Sequence, residues 1–453
     1  MAHVSIIGAG LAGCEAALQC ARRGVPVRLF EMRPGRMTEA HQTGDVAELV
    51  CSNSLKSDEP ANAHGLLKAE LRIYGSALLE CAERTRVPGG KALVVDRRRF
   101  SAEVRAALAR AGVEVTREHV TSLPEAGPAI IATGPLTSPA MADELVAMLG
   151  CERLFFYDAI APILAAESLD MALIFEGSRY GVGSDYLNCP LTEDEYDRLV
   201  DALAGAELHP LHEFEKPALE GLGHDPDSRG GIGLCPAPGF FEGCLPVEEL
   251  ARRGRMVLAF GPLKPVGLVA PETGRRPFAV VQLRRENSAG TMYNLVGFQT
   301  RLRQSEQERV FRFIPGLERA KFLRFGSIHR NTFLDGPRVL LPTLQARVRT
   351  DLFVAGQLTG VEGYVESIAS GLVAGMNAAR LSQGRQPVGF PEETMVGGLL
   401  AYVTSPSDDF QPMNANLGLL PPVESLRGRD RRRAIAERAL AAAGAFAAIL
   451  HIP

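Results

Sequence analysis

The chain of 453 residues has no run of about 18 uninterrupted apolar residues. Its first residues, MAHVSIIGAGLAG, lack a basic stretch followed by a signal-length apolar core. The expectation from both absences is a cytoplasmic protein with no membrane partner. The eight cysteines, at 14, 20, 51, 81, 151, 189, 235 and 244, include no Cys-x-x-Cys pair. Scattered through a long chain, they predict reduced thiols and neither a disulfide framework nor a metal site. A large excess of one charge is also missing: the formal net charge of −4 argues against a uniformly basic nucleic-acid binder but leaves room for a local patch. No internal repeat or heptad array is visible. What the chain does have is core material, with 46% hydrophobic and 23% charged residues. That composition predicts a chain folded throughout, and its length exceeds what one hydrophobic core supports.

The N-terminus carries the most specific pattern. An apolar run from Val4 to Ile7 meets Gly8-Ala9-Gly10-Leu11-Ala12-Gly13, a helical stretch from Cys14 to Arg23 follows, and a second apolar run from Val27 ends at Glu31. This strand, glycine turn, helix and strand predict a dinucleotide site. Glycines let a diphosphate approach the helix N-terminus, whose unsatisfied N–H groups attract anions, and Glu31 has the spacing for a ribose hydroxyl. Two later runs, Ala129 to Gly134 and Leu352 to Gly356, read as further strands of the same sheet. Thr133, Gly134 and Gly356 fall at their ends, and Gly360-Val361-Glu362-Gly363-Tyr364 follows as a turn open to a second ligand segment. Gln357 stands where many two-dinucleotide-domain flavoproteins of the glutathione-reductase type carry Asp. No second G-x-G-x-x-G lies between 145 and 330, so a separate nicotinamide domain is not expected. The predicted architecture is α/β: a Rossmann-like FAD-binding domain from 1–145 and 330–453, with an inserted α+β domain at 146–329 facing the substrate.

Two cysteines have settings suited to chemistry. Cys51 lies in Val50-Cys51-Ser52-Asn53-Ser54-Leu55-Lys56, about twenty residues after Glu31 and so near the cofactor half of the sheet. Cys244 precedes Pro246-Val247-Glu248-Glu249-Leu250, a helix-start pattern whose positive end would favour a thiolate. On residue chemistry alone, each thiol is either reactive or a small buried hydrophobe. Phe410 to Gly418 combines amides, proline and glycine, as either a heterocycle-binding loop or a surface turn. Basic clusters occur at Arg97-Arg98-Arg99, Arg252-Arg253-Arg255, Arg284-Arg285 and Arg427 to Arg433. Each is either a phosphate contact or a solvated face.

Several long and unusual segments then point one way. The glycine turn and Phe30-Glu31-Met32-Arg33-Pro34, the Cys51 segment, Ala132 to Ser138, Tyr186 to Pro190, Gly261 to Leu268, His329-Arg330-Asn331-Thr332 and Phe410 to Met413 together resemble the folate- and FAD-dependent tRNA uridine-5-methyltransferase family, nearly end to end. The resemblance implies that methylenetetrahydrofolate supplies a carbon, FAD the electrons and NAD(P)H the reduction of the flavin, while a T-loop uridine of tRNA becomes 5-methyluridine. It assigns Cys244 to attack on uracil C6 and Cys51 to base or methylene-handling work near the flavin. FAD would be held by Gly8, Ala9, Gly10, Leu11, Ala12, Gly13, Glu31, Arg33, Thr133, Gly134, Gly356, Glu362 and Gly363. Folate or ring contacts would fall to His329, Asn331, Gln411 and Asn414. RNA contacts would fall to Arg97, Arg98, Arg252, Arg284, Arg429, Arg431 and Arg432. No obligate protein partner is implied. One departure is a Gly/Pro-rich segment before Cys244, longer than the family pattern and carrying Cys235. Competing readings are a wobble-uridine-modifying flavoprotein, a flavin oxidoreductase for a small molecule, and an RNA-binding protein that keeps FAD structurally.

Overall fold

The computed structural model describes residues 3–150, 153–179, 185–209, 245–407, 410–423 and 426–450. Two compact units divide the chain, one of residues 1–86, 91–154 and 332–453, the other of 87–90 and 155–331. The crossings at 154/155 and 331/332 fall later than the 145/146 and 329/330 drawn from sequence pattern. No loop marks them, because two strands carry the chain across: β8 (Arg153–Ile160) outward and β15 (Ser327–Leu334) back, paired with each other in a two-stranded sheet.

The first unit opens with β1 (Val4–Ile7), α1 (Leu11–Arg22) and β2 (Val27–Glu31). After β3 (Ser54–Ser57), α2 (Ala63–Ile73), α3 (Ala77–Arg84), β4 (Arg86–Val87), β5 (Ala92–Val95) and α4 (Arg97–Arg110), it adds β6 (Val115–Arg117), β7 (Ala129–Ile131) and α5 (Pro139–Leu149). The returning chain contributes α10 (Gly336–Val339), β16 (Leu352–Val354), α11 (Tyr364–Ser382), α12 (Met395–Thr404) and α13 (Gly428–Ile449). Five strands form a parallel sheet in the order β16-β7-β1-β2-β6. The central strands are short continuous apolar runs, the pattern of a sheet covered by helices on both faces. α1 packs on α11 at backbone distance: a Cβ on Gly371 would lie 2.3 Å from the Ala12 carbonyl oxygen, and one on Gly375 2.6 Å from that of Ala16. The alanine-rich helix α13 buries Ile435, Ala436, Ala439, Ala443 and Ala447, a stripe at helical spacing.

The second unit is built on a six-stranded sheet in the order β10 (Phe175–Gly177), β11 (Tyr186–Leu191), β12 (Ala279–Arg285), β13 (Met292–Leu295), β9 (Ile163–Ala165), β14 (Phe322–Arg324). All its pairings are antiparallel. Alternation along β12 sends Ala279, Val281 and Leu283 into a core shared with α6 (Glu193–Ala204), α7 (Val247–Arg252), α8 (Val257–Phe260) and α9 (Gln304–Phe311). Gln282 and Arg284 take the opposite face, paired across strands with Asn188 and Asn294, so that face is polar yet buried. A capping box between Thr192 and Glu195 starts α6. Among the described residues, no helix is long and apolar enough to cross a membrane.

Candidate active site

The C-terminal ends of β1, β7 and β16 meet where a parallel sheet places its ligand crevice. Gly8, between β1 and α1, has φ +103°, and a Cβ there would lie 2.4 Å from the Ala132 carbonyl oxygen after β7. A Cβ on Gly13 would lie 1.8 Å from the Gly8 carbonyl oxygen, so the turn cannot close with larger residues. At Gly10 an added Cβ would meet nothing within 4 Å. Gly10 caps α1 without a side-chain bond, and no acid occupies the first turn. Backbone N–H groups and the helix dipole therefore face the open side of the turn, which fits the diphosphate of a dinucleotide such as FAD. Beside it, the hydroxyls of Thr133 and Thr137 lie 2.7 Å apart, and Thr137 bonds the Gly134 carbonyl.

Glu31 is more committed than its spacing suggests. One carboxylate oxygen accepts the Arg33 N–H at 3.0 Å and Arg33 Nε at 2.9 Å; the other accepts the Ala9 N–H at 3.0 Å and Arg33 Nη2 at 3.2 Å. Burial alone would raise its pKa, but the Arg33 bonds and charge and the Ala9 N–H hold it below the usual carboxylate value. With four donors on its two oxygens, Glu31 receives a ribose hydroxyl only by sharing or releasing Arg33. Arg33 also pairs with Glu48 at 3.0 Å, a contact absent from the sequence reading.

The Cys51 segment is bonded to this turn. Ala47 N–H donates to the Ala9 carbonyl at 2.9 Å, and the backbone N–H groups of Cys51 and Ser52 donate to the Tyr364 hydroxyl at 2.7 and 3.1 Å. Arg97, first residue of α4, donates to the carbonyls of Leu49 and Cys51, the latter at 3.0 Å. The structure thus puts Arg97, expected on RNA, against the loop that carries the thiol. Desolvation, followed by the neighbouring Cys51, pushes the Tyr364 phenol pKa up, so it stays protonated. Of the five described cysteines, 14, 20, 81 and 189 are buried and only Cys51 is half-buried. Burial pushes the thiols of Cys20 and Cys81 up to about 12 and keeps both protonated at neutral pH. All five are free thiols.

Just past β16, Gly356 N–H donates to Ser370 Oγ at 2.7 Å, and Gln357, in place of the usual Asp, donates to Glu362. The loop from Phe410 folds against this segment: Met413 N–H bonds the Gly360 carbonyl at 2.9 Å and Glu362 N–H the Met413 carbonyl at 2.8 Å. Ala415 N–H and His64 Nδ1 both reach Glu366, at 2.9 and 3.1 Å. Burial would raise the Glu366 carboxyl, but its bond from His64, the charges of Lys56 and His64 and the Ala415 N–H hold it at about 2. Asn414 therefore lies beside Glu362 and Gly363 in sequence-distant register. Gln411 is exposed, with its carbonyl bonded by Tyr402. Neither His64 nor Tyr364 was singled out from sequence; contacts to them span 302 and 313 residues, and no local pattern encodes such a pairing.

In the second unit, His329 and Asn331 sit on β15. His329 Nε2 is 3.9 Å from Asp158 Oδ2. Asn331 is 1% exposed, and among the described residues neither its amide oxygen nor its nitrogen has a hydrogen-bond partner. Such a group, buried and unsatisfied, points to a missing donor and acceptor. Cys244 and Cys235 lie outside the described residues. The helix expected after Cys244 is present as α7, but it has only six residues. Its Val247 N–H is taken by the Gln299 carbonyl at 2.7 Å, and Glu248 and Glu249 occupy its first turn, so its start is not the strongly positive helix end inferred from sequence.

The arginines expected on RNA have different fates. Arg284, 8% exposed, bonds Asn294 at 3.3 Å within the sheet and is not a surface cation. Arg252 is tied to Glu249 and the Ala204 carbonyl. Arg98, Arg429, Arg431 and Arg432 are exposed. Sequence reasoning missed a cleft of about 490 Å³ lined by Phe260, Lys264, Arg276 and Phe278, with Phe260 79% exposed. The adjacent Arg275-Arg276 pair and Phe260 were its available signal, the aromatic and basic mixture of single-stranded nucleic-acid surfaces.

The chain matches the family model for glucose inhibited division protein A over residues 3–224 and 234–386. It is 56% identical over 442 residues to the methylenetetrahydrofolate--tRNA-(uracil-5-)-methyltransferase TrmFO of Moorella thermoacetica, covering 96% of each chain. It is 54% identical over 452 residues to that of Symbiobacterium thermophilum, covering 98% of this chain and 97% of the relative. The chain belongs to the TrmFO family. A solved structure of Aquifex aeolicus GidA superposes with a TM-score of 0.71 at 16% identity, covering 100% of this chain and 74% of that one, and so shares the fold. TrmFO membership places the chain among enzymes and agrees with a Rossmann-like dinucleotide unit carrying an insertion.

Proposed function

We propose that this TrmFO-family chain methylates C5 of a T-loop uridine in tRNA, with methylenetetrahydrofolate as carbon donor, FAD as cofactor and NAD(P)H as reductant. The observation that carries the reading is Cys51, the half-buried thiol on a loop bonded both to the glycine turn, through Ala47 and Ala9, and to the start of α11, through Tyr364. Gly8 to Gly13 would cradle the FAD diphosphate, with Glu31 and Arg33 at the ribose and Gly356, Glu362 and Gly363 at the closing segment. When bound, FAD supplies the two electrons that turn a transferred methylene into a methyl group.

The chain's own residues handle carbon and protons. Uracil C5 is a weak nucleophile until a thiolate adds at C6, and Cys244 is assigned that bond. Addition leaves negative charge at C5, which attacks the methylene carbon; as the C5 proton is lost, the carbon–nitrogen bond to folate breaks and tetrahydrofolate leaves, so that the adduct carries an exocyclic methylene for the two-electron reduction. Cys51 accepts the C5 proton, and breaking the C6–S bond regenerates the Cys244 thiolate. Tyr364 and Arg97 keep the Cys51 backbone in place. The buried Asn331 amide, able to donate and accept together and without a partner among the described residues, suits the edge of a pterin or pyrimidine. Arg429, Arg431 and Arg432 sit exposed at the start of α13, where a helix N-terminus also attracts anions, and suit RNA phosphates. Purified chain should be yellow and should methylate a T-loop hairpin given methylenetetrahydrofolate and NAD(P)H. Yellow protein that forms no methyluridine with this donor would sink the proposal.

A further inference from the structure

In the first unit, α1 and α11 end side by side at a cleft of about 710 Å³ lined by Arg22, Arg23, Arg72, Arg380 and Arg385, with Met376 and Leu450 as apolar wall. That volume is in the range of small-ligand sites. Two of the arginines are neutralised. Arg22 pairs with Glu80 at 2.8 Å, and Arg72 with Arg86 shares Asp58 and Glu83 in a network of two cations and two anions. The other three have no carboxylate partner among the described residues. Arg23 bonds the carbonyls of Gln19, one from its backbone and one from its side chain; Arg380 bonds the Gln386 carbonyl at 2.8 Å; Arg385 bonds Gln383.

Charge magnitude decides between structure and ligand. Cations at helix C-termini are favourable, but the two helix ends together supply only about one negative charge against three guanidinium groups. Among the described residues, roughly two positive charges in this cleft are left without a counter-charge. The crowding registers in the groups themselves: burial, then Arg22 and Arg385, depress the pKa of Arg23, and burial, then Arg385, that of Arg380. The glycine turn lies at the opposite end of α1, so this cleft is separate from the dinucleotide site.

We propose that the cleft binds a diphosphate group, either inorganic pyrophosphate or the diphosphate of a nucleotide. The guanidinium forks of Arg23, Arg380 and Arg385 provide paired donors for its oxygens. The test is calorimetric titration of the FAD-loaded full chain with pyrophosphate and, separately, with adenosine diphosphate. Both should bind saturably, more weakly at high salt, with the flavin spectrum unchanged. An Arg380→Ala/Arg385→Ala variant should lose about tenfold or more in affinity, whereas Arg105→Ala, far along α4, should match wild type. Tighter binding of adenosine diphosphate than of pyrophosphate assigns the site to a nucleotide; equal or weaker binding assigns it to inorganic diphosphate. Absence of binding at millimolar ligand overturns the proposal. So does pyrophosphate affinity unchanged in the double variant, and if that variant instead binds tRNA more weakly, the arginines serve the RNA backbone. An unchanged melting temperature and flavin content in the double variant establish that any loss is not unfolding.

Discussion

Cys51 is held in position through its backbone. Its N–H and that of Ser52 share one acceptor, the Tyr364 hydroxyl, and its carbonyl is held by Arg97. Tyr364→Phe removes that acceptor from two N–H groups and should cost about 1–3 kcal/mol of stability. It should lower kcat for methyl transfer while the protein stays yellow; an unchanged kcat would mean that the loop's placement does not matter to the chemistry. Glu366 gives a second prediction, in pH. Its folded pKa of about 2 lies below the ordinary carboxyl value of 4.5, so the ionised carboxylate stabilises the fold above that upper value. The contribution, about 3 kcal/mol in order of magnitude, is lost as pH falls from there through about 2. Denaturant midpoints followed down through this window should drop in wild type, and Glu366→Gln should flatten the slope. An equal slope in both proteins would assign acid sensitivity elsewhere.

Among the elements, α1 is the common support: its start forms the dinucleotide turn, and its length rests on α11 across Gly371 and Gly375. Gly375→Ala forces a methyl against the Ala16 carbonyl, and separating the helices should cost about 1–3 kcal/mol and lower the FAD content of purified protein. Full FAD content with wild-type stability would show that the contact can give. The strand, turn, helix and strand from Val4 to Glu31 were legible because periodicity, glycine spacing and the terminal acid are all local in sequence. So were the strands at Ala129 to Ile131 and Leu352 to Val354. What local pattern does not carry is partnership across the chain. The commitment of Glu31 to Arg33, the Tyr364 hydroxyl over Cys51 and the burial of Arg284 all depend on which distant segments meet. The helix start after Cys244 was legible too, whereas the bond from its Val247 N–H to the distant Gln299 carbonyl was not.

At the scale of the molecule, a net charge of −4 coexists with an exposed basic run at the start of α13, so RNA affinity should depend on a patch and not on overall charge. Reversing Arg431 and Arg432 to Glu should weaken tRNA binding more at low salt than at high salt, because phosphate contacts release counterions. Affinity that is the same for variant and wild type at both salts would remove the patch from the interface. Under the proposed function, a thiol beside the dinucleotide turn takes part in carbon transfer onto uracil. Its most direct test is a single assay of purified wild type, Cys51→Ala and Cys244→Ala for 5-methyluridine formed in a T-loop hairpin from methylenetetrahydrofolate and NAD(P)H. Methyluridine from wild type alone, with FAD retained in both variants, is the predicted result; full activity in either cysteine variant would contradict the account.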